Sequence, residues 1–215
     1  MNIEDILQEL AQLPRTSFGI SVPALRKTAR KIARQNYRIL FEKTDFSTFE
    51  LRLLNALVLG YARDDLPNLL ACFARFVPYV DDWAVCDALC QGFTIARRHP
   101  QEVWDFVMQY RNSRREFAAR IVAVVLLSHY LNDDYIDKVL KVLDSLYTEK
   151  YYAQMGVAWA LATVCAKYPA KCLQYLQGPN HLDATTFNMT IRKIKESFRV
   201  APEVKRQVTL LRGLK

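Results

Sequence analysis

The sequence contains few of the residues that break regular structure, and it lacks long apolar runs. Only six of its 215 residues are glycine and eight are proline, which excludes collagen-like and low-complexity disordered chains. The longest apolar run, Ile121 to Leu127, is too short to cross a bilayer. The opening residues, Met1 to Asp5, are acidic where a signal peptide is basic. We therefore expect one domain over residues 1–215 that is soluble, cytoplasmic and not bound to a membrane.

Cysteine and histidine are too few and too scattered to form a usual metal centre. The five cysteines are an odd number in apolar surroundings, which favours reduced thiols in the core over a disulfide framework. Cys86 and Cys90 would share one face of a helix. No CxxC pair or nearby histidine supplies the remaining ligands. The sequence therefore predicts no metal site.

Positive charge is the most distinctive feature of the composition. Thirty Lys and Arg against 22 Asp and Glu give a formal net charge of +8. Residues 15–38 carry seven basic and no acidic side chains, and residues 192–215 carry eight basic and two acidic ones. Such a balance attracts polyanions, which include nucleic acid, anionic membrane surfaces and acidic proteins. A solvated basic face without a partner explains the same charge, so charge alone does not decide.

Apolar residues recur every three or four positions along almost the whole chain, which predicts an all-α protein. Helix-start patterns occur at Ser21 with Pro23, at Ser47 to Glu50 and at Asp65. We expect twelve helices, near residues 3–13, 22–35, 47–62, 66–77, 81–97, 101–111, 114–130, 133–146, 149–167, 169–177, 183–198 and 202–212.

The predicted helices form pairs that repeat. The longer helices begin near Asp81, Arg114, Glu149 and Asp183, which are 33, 35 and 34 residues apart. A two-helix unit of this length is typical of α-solenoids, among them HEAT, armadillo and tetratricopeptide arrays. The Trp-Leu-Gly-Tyr consensus of the last is missing. We therefore predict an α-solenoid of HEAT-like helical hairpins, curved, with a basic concave face.

One stripe of these repeated helices carries aromatic and charged residues. Counted from each helix start, Trp83 is at offset two, and Asp87 and Arg120 are at offset six. Trp159 and Lys193 are at offset ten. Offsets four apart lie on one helix face, and equivalent helices of a solenoid line one wall at a spacing of about 8–10 Å. We expect these five side chains to project toward one surface, the concave one if these are the inner helices.

Each member of this stripe also has a structural explanation. Helical tryptophans are usually buried or at an interface, and Trp104, outside the stripe, is assigned to packing. Asp87 lies mid-helix, where aspartate is a poor helix former, so it needs a partner such as Arg120 or a chemical task. Arg120 lies among apolar neighbours and is equally out of place. The combination is more informative than any single residue.

Aromatic rings beside a carboxylate in a basic groove suit a polyanion whose reacting centre becomes cationic. Breaking an N-glycosidic bond gives an oxocarbenium-like deoxyribose, which a fixed carboxylate stabilises while it positions water. Aromatic faces pack against sugar and base. Basic side chains hold phosphates without reading the base sequence, and we assign this task to Arg26, Lys27, Arg30, Lys193, Lys195 and Arg199.

The order and spacing of several segments match a known family. Residues 18–26 read FGISVPALR, residues 82–87 read DWAVCD, Arg120 follows on the next repeated helix, and residues 151–161 read YYAQMGVAWAL. The first two resemble the Gly-Val-x-x-Pro-x-Leu-Arg and Trp-x-x-x-Asp motifs of the AlkD family of HEAT-like-repeat DNA alkylation repair proteins. The order Trp, Asp, Arg, Trp resembles that family across most of the chain.

This resemblance implies a monofunctional DNA glycosylase that removes N3- and N7-alkylated purines from duplex DNA without a metal or cofactor. By the same resemblance, Asp87 would stabilise the developing sugar cation and orient water. Trp83 and Trp159 would flank the deoxyribose of the lesion, and Arg120 would hold the DNA backbone. Alkylated purines of this kind are cationic and already good leaving groups, so little leaving-group activation is needed. The resemblance also implies a glycosylase that works without a base-holding pocket, unlike the usual base-flipping glycosylases.

One departure from the family pattern bears on DNA binding. The family often continues Trp-Ala-Leu-Arg-Glu, whereas Ala162 and Thr163 follow Leu161 here, which removes one phosphate contact.

Two other functions remain open. A non-catalytic HEAT-like module would bind DNA in a salt-dependent way and release no base. A protein-interaction scaffold is favoured if DNA does not bind at low salt. A solenoid with polar ends is expected to be a monomer.

Overall fold

The computed structural model of the protein describes residues 3–17, 19–43, 46–146 and 149–213. In these residues it contains thirteen α-helices and one short two-stranded hairpin, which confirms the predicted all-α solenoid. The chain divides into two compact units, residues 1–103 and 104–215. That the whole chain acts as one domain stays a prediction. Phe18 of the opening motif lies outside the described residues.

Among the described residues, the first unit contains six helices before α7 (Pro100–Met108), which are α1 (Ile3–Ala11), α2 (Val22–Ala33), α3 (Arg38–Lys43), α4 (Phe49–Tyr61), α5 (Leu66–Phe76) and α6 (Trp83–Gly92). They form two layers. In one layer α4 contacts both α2 and α6, and in the other α3 contacts both α1 and α5. A hairpin of β1 (Arg15–Thr16) and β2 (Gly19–Ile20) precedes α2. Short 3-10 turns follow α5 at Val77–Tyr79 and α6 at Thr94–Arg97.

The sequence prediction missed helix α3. With six residues it makes fewer than two turns, which is too short to show a helical period in the sequence. Its apolar side chains nevertheless anchor the unit, because Phe41 is buried against Phe46 and Phe76 at ring-centroid distances of 6.4 and 6.2 Å. Tertiary packing, not local pattern, therefore stabilises α3.

The start of α4 and the end of α6 differ from the sequence prediction. The N-cap of α4 is Thr48 rather than Ser47, and its side chain accepts from the Leu51 N–H at 3.3 Å. Glu50 pairs with Arg15 at 3.3 Å. The helix expected over 81–97 ends at Gly92, since Phe93 leaves helical geometry and buries its ring against Phe73, 4.9 Å away.

Helices α4 and α6 approach closely at a pair of glycines. A Cβ added to Gly60 would lie 2.9 Å from the Cα of Gly92, and one added to Gly92 would lie 3.1 Å from the Cα of Gly60. Real Cβ atoms essentially never lie within 3.0 Å of another heavy atom, and a contact of 3.1 Å is tighter than nine in ten real Cβ contacts. Glycine at both positions therefore sets the distance between the two helices.

The boundary between the two units falls within the sequence of α7 (Pro100–Met108). The helices that follow it in the second unit are α8 (Glu116–His129), α9 (Ile136–Leu143), α10 (Tyr151–Lys167), α11 (Pro169–Gln177), α12 (Ala184–Glu196) and α13 (Pro202–Thr209). Helix α10 is at the centre of this unit, because it contacts both α8 and α12. Each longer helix of the unit is followed by a shorter one, and α11 contacts both α10 and α13.

The repeat spacing survives in the structure. Helices α6, α8, α10 and α12 begin at Trp83, Glu116, Tyr151 and Ala184, at intervals of 33, 35 and 33 residues. Each is followed by a further helix, as the paired pattern predicts. The helix starts therefore agree with the predicted spacing to within one or two residues, and the assignment of these pairs to HEAT-like repeats stays a prediction.

Trp104 has the packing role that its sequence position predicts. Its ring lies 5.2 Å from both Tyr130 and Tyr135 and is largely buried. The five cysteines are free thiols, and all but Cys72 are fully buried.

Candidate nucleic-acid interface

Helix α6 presents Trp83 and Asp87 on one accessible face. The Asp82 carboxylate caps the helix by accepting from the Ala84 N–H at 2.7 Å, so Trp83 is the first helical residue and is 51% exposed. Asp87 follows one turn later and is partly exposed. The opposite face, which includes Val85 and Cys86, is buried in the core. Asp87 is therefore neither as exposed as Trp83 nor buried like Val85 and Cys86.

A cleft of about 380 Å³ adjoins this face of α6. Arg26 and Arg63 contribute its positive charge. The Arg26 guanidinium donates to the Tyr61 hydroxyl at 3.4 Å, and the Arg30 guanidinium lies 4.9 Å from the centre of the Tyr61 ring. One tyrosine thus orders two of the arginines assigned to phosphate binding. The cleft is lined by Arg26, Leu57, Gly60, Tyr61, Arg63, Ala88, Gln91, Gly92 and Thr94.

The remaining basic residues of α2 are exposed, and one of them pairs with α1. Lys27 is exposed, while Lys31 donates to Glu9 at 2.6 Å. This hydrogen bond lowers the pKa of Glu9, although burial opposes the shift. The positive charge of α2 is therefore partly balanced on the side toward α1.

The first unit also contains a polar network centred on Asp64. Asp64 accepts from the Tyr37 hydroxyl at 2.6 Å, from Arg38 Nε at 3.1 Å and from Asn68 at 3.0 Å. These donors hold the pKa of Asp64 well below its usual range. Burial, followed by the bond to Asp64, raises the pKa of Tyr37 to about 12. Asp64 is therefore ionised at neutral pH and joins Tyr37, Arg38 and Asn68 in one network.

Arg120 on α8 contacts the start of α10. Its side chain is only 6% exposed, and its Nη1 donates to the Tyr152 carbonyl at 3.0 Å. Glu116, one turn earlier, accepts from the Tyr152 N–H at 2.7 Å. Gly156 leaves room for the arginine, because a Cβ there would lie 3.2 Å from its Cγ. The two side chains therefore fix both backbone polar groups of Tyr152.

Trp159 lines a second cleft, of about 340 Å³, in the second unit. Small side chains leave it open, since Ala162 and Thr163 lie beside the indole, and the Thr163 hydroxyl bonds back to the Trp159 carbonyl at 2.8 Å. Lys193 and Arg199 supply positive charge. The cleft is lined by Trp159, Ala162, Thr163, Lys193, Glu196, Ser197, Phe198 and Arg199.

Glu196 moderates the charge of this cleft. It accepts from Arg192 Nε at 2.7 Å and pairs with Lys193 at 3.2 Å. The bond from Arg192, and then the bond from Lys193, lower the pKa of Glu196. Lys195 is exposed and lines a neighbouring groove of about 850 Å³ that also contains Arg192 and Arg212. The carboxylate is therefore ionised at neutral pH and holds two cations in place.

Seven of the ten predicted site residues fall in three local groups. Trp83 and Asp87 share one face of α6, and Arg26 and Arg30 share Tyr61. The third group is the cleft with Trp159, Lys193 and Arg199. Sequence reasoning missed Tyr61, whose role depends on a contact between helices, and Phe198, which follows the end of α12 and has no place in its helical period.

These features define an all-α helical-repeat protein with basic, aromatic-lined clefts. Within the described residues, no helix combines the length and apolarity that a bilayer crossing requires. A family model described as "DNA alkylation repair enzyme" matches residues 5–194. The chain therefore belongs to that family and has a role in DNA alkylation repair. Comparison with curated proteins and with solved structures finds no match.

Proposed function

We propose that the protein is a monofunctional DNA glycosylase that hydrolyses the N-glycosidic bond of N3- and N7-alkylated purines in duplex DNA. The observation that carries this proposal is the position of Asp87, a partly exposed mid-helix acid one turn after the exposed Trp83 on the same face of α6. Membership of a DNA alkylation repair family supports it.

The chemistry requires little help with the leaving group. When the C1′–N bond of an alkylated purine breaks, its electron pair neutralises the cationic base, and positive charge appears on the deoxyribose. A fixed carboxylate stabilises that charge most strongly where water is excluded. Water then bonds to C1′ and releases a proton. We assign to Asp87 both the stabilisation of the sugar cation and the orientation of this water.

The aromatic and basic residues hold the DNA. Trp83, one turn before the carboxylate, would pack beside the sugar, and Trp159 would be a second aromatic contact to the DNA. Phosphates would be held by the side chains of Arg26, Lys27, Arg30, Lys193, Lys195 and Arg199 without reading the base sequence. Such a protein would act as a monomer without a cofactor.

Arg120 would affect DNA binding indirectly, by holding α10 in position. Its Nη1 donates to the Tyr152 carbonyl, so we assign it the positioning of the first turn of α10. Since Trp159 lies two turns further along the same helix, Arg120 would support DNA binding by fixing α10 in place. The direct hold on the DNA backbone that the family resemblance implies for Arg120 stays a prediction beside this role.

The test is release of free base from N-methylated duplex DNA, measured as 7-methylguanine over time. Asp87→Asn should lower the rate by roughly two to three decades while binding to the same DNA persists. Asp134→Asn, the same change at an exposed aspartate of the second unit, is the matched control and should excise like the wild type. Equal excision by Asp87→Asn would remove this residue from the mechanism.

A non-catalytic DNA-binding protein is the second candidate, because the basic clefts would serve binding with or without chemistry. It predicts that wild-type protein binds DNA with an affinity that falls as salt rises, yet releases no base. The same assay with wild-type protein separates the two functions.

A further inference from the structure

Phe198 projects fully into solvent from the turn between α12 and α13. Its relative exposure is 103%, the highest among the large apolar residues that the structure describes. A single exposed apolar side chain is common on protein surfaces, but this one also lines a cleft with Trp159, Lys193 and Arg199. The ring is therefore a candidate contact.

The turn that carries Phe198 is anchored on both sides. Before it, the Ser197 N–H donates to the Lys193 carbonyl at 3.1 Å, and the Ser197 hydroxyl accepts from the Arg199 N–H at 3.3 Å. After it, Val200 is buried in the core at 5% exposure. Because its neighbours are fixed, the ring is presented outward at little further cost in conformational entropy.

The surroundings of the ring select an anionic partner. Phe198 and Arg199 line the same cleft as Trp159 and Lys193, and the exposed Arg199 adjoins the ring in sequence. The cleft volume, about 340 Å³, is at the lower end for small-ligand sites and suits a single base or sugar. A protein interface would need a larger apolar core around the ring, whereas this ring is surrounded by charged groups.

We propose that Phe198 stacks on a nucleobase at an unpaired position of the DNA, while Lys193 and Arg199 hold the flanking phosphates and Trp159 packs against the sugar. This deepens the proposed function and rests on it only in taking DNA as the ligand. It gives the protein a preference for DNA with a locally open base pair, because a fully paired duplex keeps its base faces stacked.

The experiment measures binding of unmethylated duplexes that carry one fluorescent 2-aminopurine, either paired with thymine or placed opposite an abasic site. Wild-type protein should bind the open site more tightly and quench its fluorescence. Phe198→Ala should weaken binding to the open site roughly tenfold, lose the quenching and leave binding to the paired duplex within twofold. Phe198→Trp should restore both signals.

Leu210→Ala is the matched control, since Leu210 is also exposed (79%) in the second unit but lies outside the cleft. It should bind both duplexes like the wild type. Equal affinities of Phe198→Ala and wild-type protein for the open site would overturn the inference, as would an equal loss on both duplexes. A change in oligomeric mass caused by Phe198→Ala would also overturn it, because it would identify a second copy of the chain as the partner of the ring.

These readouts are independent of base release. If wild-type protein prefers the open site through Phe198 but releases no base from methylated DNA, the glycosylase proposal fails and this inference stands. If base is released and the Phe198 variants bind both duplexes like the wild type, the inference fails and the glycosylase proposal stands.

Discussion

The contact between Gly60 and Gly92 predicts that one methyl group will displace the helix that carries Asp87. In Gly60→Ala the new Cβ would lie 2.9, 3.2 and 3.3 Å from the Cα, C and O atoms of Gly92. Favourable carbon contacts need about 3.5–4.0 Å, so α6 must move away from α4 by roughly 0.6–1 Å. All three atoms belong to the backbone, and no side-chain rotation can relieve the clash.

The expected loss of stability follows from two opposing terms. Overpacking of this kind costs about 1–3 kcal/mol, with the upper end appropriate because the obstacle is backbone. Alanine in place of glycine inside a helix stabilises the folded state by about 1 kcal/mol. We therefore expect Gly60→Ala to lower the free energy of unfolding by about 2 kcal/mol, measured by urea denaturation.

The same displacement should reduce activity in protein that remains folded. A 1 Å misplacement of a reacting group costs up to about a hundredfold in rate, so base release should fall well beyond the loss of folded protein. Gly156→Ala is the comparison, because its new Cβ first meets the Arg120 side chain at 3.2 Å rather than backbone, and its stability should stay within about 1 kcal/mol of wild type. Gly60→Ala protein at least as stable as the wild type would refute the reasoning.

Two further predictions concern charge. Glu196→Gln removes one negative charge from the cleft and releases Arg192 and Lys193 from their ion pairs. It should therefore tighten DNA binding and steepen the salt dependence of the binding constant by about one counterion. Unchanged binding in a salt titration would show that this cleft does not contact DNA. Asp144 accepts from the Tyr175 hydroxyl at 2.7 Å and from the His181 N–H at 2.8 Å; burial opposes the shift, but the His181 and Tyr175 bonds lower the pKa of Asp144. The stabilisation by ionised Asp144 is therefore complete above the unfolded-state pKa and is lost as pH falls through the lower folded-state pKa. Asp144→Asn should lower the free energy of unfolding by about 2 kcal/mol at pH 7 and by progressively less on acidification below pH 4. A difference between variant and wild type that does not depend on pH in urea titrations would contradict this.

The sequence predicted the long helices because their apolar periodicity is local information. Helices α6, α8, α10 and α12 were expected within one or two residues of their starts, and the mid-helix position of Asp87 on α6 followed from the same pattern. α3 was missed because six residues carry almost no period.

The contacts around the candidate residues could not be predicted from local pattern. Arg120 looked out of place in the sequence, but its burial depends on Gly156 and on the Tyr152 carbonyl, more than 30 positions away. Tyr61 gains its role from two arginines on another helix. These pairings arise only when the helices pack.

The two hydrogen bonds to the Tyr152 backbone have a consequence for local unfolding of the second unit. The first amides of a helix normally have no acceptor and exchange readily with solvent. In α10 the Tyr152 amide is satisfied by a carboxylate of the preceding repeat, and its carbonyl by an arginine of the same repeat. Fraying of α10 therefore requires both bonds to α8 to break, so adjacent repeats are coupled and should melt as one cooperative block rather than one hairpin at a time.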